Sequence, residues 1–179
     1  GKGIGYCASC DGMFYRGKTV AVVGGGNSAA ADALVLSRIA KKVYVIHRRD
    51  SLRATKVYHE PLEKAENVEF IWNSEVVALL YDEKLKGVVV KNAESGGLRE
   101  LELDGLFISI GRNPATQLFR GQLELDERGY IVAGETTETS IPGVYAVGDV
   151  RTKAVRQIVT AASDGAVAAH FVEEYLKDK

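Results

Sequence analysis

Thr19-Val20-Ala21-Val22-Val23-Gly24-Gly25-Gly26-Asn27-Ser28-Ala29 is the stretch whose chemistry decides how the rest of the chain is arranged. A continuous apolar run suits a strand buried at the centre of a parallel sheet. Three glycines end it, and the chain beyond, to about Ile39, reads as a helix with Ala31, Leu34, Val35 and Ile39 on one face. Lys42-Val43-Tyr44-Val45-Ile46-His47 is a second apolar strand. Together these make the βαβ unit of a dinucleotide fold, with Gly24, Gly26 and Ala29 at the G-x-G-x-x-A positions. Gly24 permits the tight turn. Gly26 lets the backbone approach a pyrophosphate at the helix N-terminus, beside Asn27 and Ser28, and Ala29 lets the helix pack close to the strand.

The end of the second strand selects the cofactor. An NAD site carries Asp or Glu there, about 20 residues past the first glycine, to bind the ribose 2′-hydroxyl. Here the chain carries His47-Arg48-Arg49, with Arg53 a little further on. Such runs are often only solvated basic turns, but guanidinium groups at this position suit a 2′-phosphate, which points to NADPH.

Upstream lies Cys7-Ala8-Ser9-Cys10, containing the only two cysteines. A loop this tight constrains the unfolded chain little, about 2 kcal/mol by the loop-entropy relation. The bridge is a weak staple but a good two-electron switch, because the thiols are already held close. Half of a zinc site would need two more ligands, and His47, His59 and His170 have no finger-like spacing. No metal is expected.

Composition narrows the classes further. With 179 residues, 46% hydrophobic, and 23 Lys+Arg against 24 Asp+Glu for a net charge of -1, the chain suits a soluble α/β protein without nucleic acid as a general partner. No run of about 18 apolar residues marks a membrane span. Two cysteines fit a reducing compartment, hence a cytoplasmic location.

Leu52 to Ala65 reads as a helix kinked or split by Pro61, and Val68 to Trp72 as a third parallel strand. Glu75 to Tyr81, Gly87 to Lys91 and Leu98 to Leu103 read as an antiparallel meander, after which Leu106 to Ile110 returns to the sheet. Gly111-Arg112-Asn113-Pro114 breaks the chain, placing a domain boundary between 1–112 and 113–179. Beyond it we expect a hairpin (Leu123 to Leu125, Tyr130 to Val132) and a strand, Val144 to Val147. A last helix from about Arg156 to Leu176 has Ile158, Ala161, Ala162, Gly165, Ala169, Val172 and Leu176 along one stripe.

Several motifs converge on one family. Cys7-Ala8-Ser9-Cys10-Asp11-Gly12, the Gly24 to Ala29 turn, His47-Arg48-Arg49 with Arg53, Gly143-Val144-Tyr145-Ala146-Val147-Gly148-Asp149, and the segments Arg156 to Val159 and Ala161 to Gly165 resemble the low-molecular-weight thioredoxin reductases in order and spacing. The resemblance implies an α/β, three-layer ββα FAD/NAD(P)-binding (Rossmann-like) fold with a parallel sheet and a β-meander, and FAD and NADPH as cofactors. It implies that Cys10 lies against the flavin, Cys7 attacks the partner's disulfide, and Asp11 handles the proton. Gly148 and Asp149 would hold the FAD ribityl and pyrophosphate region, with the backbone of Arg156, Gln157 and Ile158 near the flavin ring. The partner would be thioredoxin or a thioredoxin-like protein, and the full-length protein a homodimer.

The family's first glycine-rich motif, which cradles the FAD diphosphate, has no counterpart in the six residues before Cys7. The chain therefore reads as an NADPH domain followed by the C-terminal portion of an incomplete FAD domain. It is expected to bind FAD weakly by itself and to be inactive alone. Two other readings stay open: a flavin-free NADPH-binding module or subunit, and a sister reductase such as an alkyl hydroperoxide reductase flavoprotein or a ferredoxin-dependent thioredoxin reductase.

Overall fold

A computed structural model describes residues 1–177. The chain forms two compact units, Gly1–Gly111 and Arg112–Lys179.

The first unit is built on β2 (Thr19–Val23), the apolar strand before the glycine turn. Its neighbours are β3 (Lys42–Ile46) and β8 (Gly105–Ile108), both parallel to it. β4 (Val68–Ile71) and β1 (Ile4–Gly5) complete a parallel sheet of order β1-β8-β2-β3-β4. In register Val20 meets Val43 and Val22 meets Phe107, and all four side chains are fully buried on the same face. That face packs on α2 (Asn27–Ser37) through Ala29, Ala30, Ala33 and Leu36. On the other face Ala21, Ile46 and Leu106 pack against the antiparallel meander of β5 (Ser74–Tyr81), β6 (Leu85–Asn92) and β7 (Leu98–Glu102). Helix, parallel sheet and meander form the expected three layers. A side chain on β2 alternates between two dry interfaces, which is why the strand has no polar face.

In this unit two local expectations are corrected. α2 turns its small residues to the sheet, whereas Ala31, Leu34, Val35 and Ile39 are only half-buried along its flanks. The close approach at Gly24 and Ala29 requires small residues there. Leu52 to Ala65 is not one helix. It holds a 3-10 turn (Lys56–Tyr58) and the short α3 (His59–Glu63), with Pro61 in the first turn, where its missing N–H costs nothing. The amides of Arg53 and Ala54 instead donate to the Gly25 carbonyl, at 2.7 and 3.0 Å. β1 went unanticipated because two residues carry no periodicity.

In the second unit the expected hairpin reduces to the bridge Leu125↔Ile131, and Val144 to Val147 to the bridge Glu138↔Tyr145, since no neighbouring strand extends either ladder among the described residues. The last helix, α4 (Ile158–Lys177), exposes much of the expected stripe, with Ile158 90% and Leu176 63% accessible. Its buried position is Asp164, a charged residue at the centre of the packed face. The apolar cluster of this unit comprises Ile131, Ala133 and Ala146, with Leu123, Leu125 and Val150 packed against it. No described helix is long and apolar enough to cross a membrane.

Phe107 joins the sheet to the segment that follows Cys10, its ring edge-to-face with Tyr15 at 5.3 Å. Phe107→Ala should lower the unfolding free energy by about 3–5 kcal/mol, measured by urea denaturation. A loss of only about 0.5 kcal/mol, typical of a surface site, would contradict this packing.

Candidate functional site

A cleft of about 830 Å³ opens at the carboxyl ends of β2, β3 and β8. This is the strand edge where open α/β sheets bind ligands. Its floor is the glycine turn, and each glycine meets a different constraint. Gly24 has φ +142°, and a Cβ there would overlap the Ser109 carbonyl oxygen and come within 2.9 Å of the Ala29 Cβ. A Cβ on Gly25 would run into the His47 imidazole. At Gly26 a Cβ would meet nothing within 4 Å, so the space above that residue is open. Gly26 is also the N-cap of α2 and provides no side-chain cap. The first amides of the helix, at Asn27 and Ser28, are therefore left for an anion. The turn fits a nucleotide pyrophosphate.

Arg48 and Arg53 line the same cleft, while Arg49 is exposed but does not line it. His47 also borders the cleft, yet it is only 4% accessible and its Nε2 is buried without a hydrogen-bond partner. The ring packs under Gly25 and stands edge-to-face to Trp72 at 6.4 Å. Burial first, then the charges of Arg53, Arg49 and Arg48, pulls the His47 pKa below its ordinary value. Asn27 directs its carboxamide oxygen to the Thr55 N–H, at 2.8 Å. Of the residues expected at the nucleotide, Gly24, Gly26, Asn27, Ser28, His47, Arg48 and Arg53 thus line one cavity, although the Asn27 carboxamide oxygen and the His47 ring are also engaged with the protein, whereas Ala29 and Arg49 do not line it.

Cys7 and Cys10 are joined as a disulfide across α1 (Ala8–Asp11). Cys7 is the N-cap, its sulfur accepting from the Cys10 N–H at 3.2 Å. Cys10 and Ser9 are exposed, Cys7 and Asp11 half-buried. The disulfide does not line the nucleotide cleft, but one carboxylate connects the two. Asp32 on α2 accepts from the Ala8 N–H at 3.2 Å and from the Ser109 hydroxyl at 2.5 Å, and Ser109 is a wall of the cleft. Burial, followed by the charges of Asp11 and Asp104, raises the Tyr15 hydroxyl pKa. Tyr6, Met13 and Phe14, close to the disulfide in sequence, are 64%, 61% and 76% exposed.

In the second unit, Gly148 (φ +76°) opens a 3-10 turn, Gly148–Val150. Its N–H donates to Asp164 at 2.9 Å. Lys153 reaches the same carboxylate oxygen at 2.6 Å, and Arg151 lies 3.7 Å from it. Burial opposes the charged form of Asp164, but the Lys153 ammonium, the Gly148 N–H and Arg151 outweigh it and hold the carboxyl below the usual range. Asp149 pairs with Arg112 at 3.9 Å, and its carbonyl accepts from Arg156 Nε at 3.2 Å. Arg156 also lies 3.9 Å over the Tyr130 ring. Gln157 donates its N–H to Thr160 Oγ1, and Ile158 projects from the start of α4. Gly148, Asp149 and Arg156 therefore converge. The site-shaping residues that sequence reasoning missed are Gly25, Asp32, Ser109, Lys153 and Asp164. An Asp inside an otherwise apolar helical stretch, as at positions 32 and 164, was the available signal.

A glycine-turn cleft at the carboxyl ends of a parallel sheet and a Cys-x-x-Cys disulfide in one α/β unit define the class of pyridine-nucleotide-linked redox proteins. The chain belongs to the pyridine nucleotide-disulphide oxidoreductase family, whose model matches residues 1–165. It is 45% identical over 177 residues to a thioredoxin reductase of Streptomyces clavuligerus, covering 98% of this chain and 55% of that one. It is 48% identical over 185 residues to a thioredoxin reductase of Coxiella burnetii, covering 98% and 58% respectively. The solved thioredoxin reductase of Streptococcus pyogenes superposes with a TM-score of 0.93 at 41% identity, covering 99% of this chain and 58% of that one. The chain thus spans little more than half the length of these relatives.

His47 provides a test of the buried ring. Its folded pKa lies below the unfolded value of about 6.5, so the unfolded chain binds the proton more readily. Stability is then fully present above about pH 6.5 and is lost as pH falls towards the folded pKa. His47→Gln should remove that part of the pH dependence in urea unfolding between pH 7.5 and 5.5. An identical slope in the variant would place the titrating group elsewhere.

Proposed function

We propose that the chain supplies the NADPH-binding unit and the redox-active disulfide of a thioredoxin reductase, residues 1–112, followed by part of its FAD-binding domain, residues 113–179. The observation that carries the reading is the link from cleft to disulfide. Ser109 walls the nucleotide cleft, and Asp32 ties it to Ala8, the residue after Cys7. The backbone of the glycine turn, from Gly24 to the first amides of α2 with Ala29 packed beneath, holds the pyrophosphate, while Arg48 and Arg53, supported electrostatically by Arg49, hold the 2′-phosphate. FAD, when bound, would supply the two-electron relay between NADPH and the Cys7–Cys10 disulfide. Two electrons and two protons convert Cys7–Cys10 into two thiols, with Asp11 moving a proton at Cys10. The Cys7 thiolate then attacks the partner's disulfide and forms a mixed disulfide. The Cys10 thiolate breaks it, which releases the partner's dithiol and restores the starting bond.

The exposed side chains of Tyr6, Met13 and Phe14 support a protein rather than a small-molecule disulfide as partner, namely thioredoxin or a thioredoxin-like protein. Gly148, Asp149, Arg156, Gln157 and Ile158 form this chain's share of the FAD site. Ile158 and Val159, 90% and 74% exposed, leave apolar surface at the head of α4 for a flat ring. The reading extends to a cytoplasmic homodimer for the complete protein.

The test uses the complete protein, carrying the additional length found in the relatives. It should be yellow and reduce thioredoxin with NADPH, and Cys10→Ser should abolish turnover. Arg48→Gln with Arg53→Gln should weaken NADPH binding by about 1.5–3 kcal/mol for each lost charge-assisted hydrogen bond and leave NADH binding unchanged. A colourless protein would favour the flavin-free module. Equal weakening of both nucleotides would refute the phosphate assignment.

A further inference from the structure

We propose that Asn27 is a specificity-determining positioning residue, whose carboxamide holds Thr55 and thereby sets the Arg53 segment against the glycine turn. The inference rests on the reading of the cleft as an NADPH site and assigns a role to a side chain that the pyrophosphate does not need. Residues 53–55 belong to no helix or strand. Their three consecutive amides all point at the glycine turn. Arg53 and Ala54 donate to the Gly25 carbonyl, and Thr55 donates to Asn27 Oδ1 at 2.8 Å, across 28 residues of sequence. His59 Nε2 closes the back of the segment by donating to the Ala54 carbonyl at 3.0 Å. Ala54 is 7% accessible, while Arg53 and Thr55 stand exposed on either side.

The two cleft arginines are therefore held by different means. Arg48 continues directly from β3, next to the backbone bonds Ser74 N–H to His47 O, 3.0 Å, and Asn73 N–H to Arg49 O, 3.1 Å. Arg53 depends on the clamp, and Asn27 is the only side chain of the glycine turn that takes part in it. A long side chain binds a phosphate well only when its backbone is already placed, because ordering it costs conformational entropy. Releasing the exposed Thr55 amide to water costs the fold little and costs the arginine its placement. The loss should fall on ligands that bear a 2′-phosphate and spare those that do not.

The experiment is isothermal titration calorimetry of the 179-residue chain with NADP⁺ and NAD⁺, with thermal melting of each variant alongside. Asn27→Ala should weaken NADP⁺ about three- to tenfold, the worth of one hydrogen bond, and leave NAD⁺ and the melting temperature unchanged. Asn27→Asp keeps an acceptor for Thr55 but adds a negative charge near the pyrophosphate. Both nucleotides should weaken with it, while their affinity ratio stays at the wild-type value. In an Arg53→Gln background, Asn27→Ala should add no further loss, because the two act as one. Equal weakening of both nucleotides by Asn27→Ala would mean direct contact with the pyrophosphate and would overturn the proposal. So would unchanged NADP⁺ binding, or additivity with Arg53→Gln. A wild-type chain without preference for NADP⁺ would instead fail the underlying reading of the cleft, and the inference with it.

Discussion

Gly24 leaves β2 through a gap too narrow for a side chain, and most of the first unit follows from that crowding. The Ser109 carbonyl closes one side of the gap and the Ala29 Cβ the other, while one residue on the His47 ring lies against Gly25. The ends of β8 and β3 and the start of α2 are thereby brought to one point. Close approach at the start of α2 accounts for the small residues Ala29, Ala30 and Ala33 facing the sheet. It also leaves Gly26 facing open space with uncapped amides beyond it, which is what a phosphate requires.

The same helix carries the link to the disulfide segment. Asp32 uses one oxygen for the Ala8 N–H and the other for Ser109, so α1 and the cleft wall hang from a single carboxylate. A half-buried carboxylate with both oxygens hydrogen-bonded is well compensated for its lost hydration. The second unit uses a comparable device, with Asp164 gathering the Gly148 N–H and Lys153, beside Arg151. In both units a carboxylate, rather than an apolar contact, ties together segments that are distant along the chain.

Much of this was legible in the sequence, because β2, β3 and the meander strands carry continuous or alternating apolar runs and the glycine turn has few other uses. What escaped depends on partners distant along the chain. Gly25 occupies the variable position of the fingerprint, and its need for glycine is set by His47, 22 residues later. Residues 53–55 have helical composition, but the Gly25 carbonyl and the Asn27 carboxamide capture their amides. The packed face of α4 is centred on a charge, so apolar periodicity pointed to the wrong stripe. Val144 to Val147 has strand composition, but a strand also needs a neighbour, and composition does not provide one.

The most direct test of the account is amide chemical-shift mapping of the ¹⁵N-labelled chain during titration with NADP⁺. Nucleotide held at the glycine turn should shift the amides of Gly25, Gly26, Asn27 and Ser28 together with those of Arg48 and Arg53, and leave Gly148 and Asp149 in place. Shifts centred on Gly148 and Asp149, with the Gly25 to Ser28 amides unmoved, would contradict it.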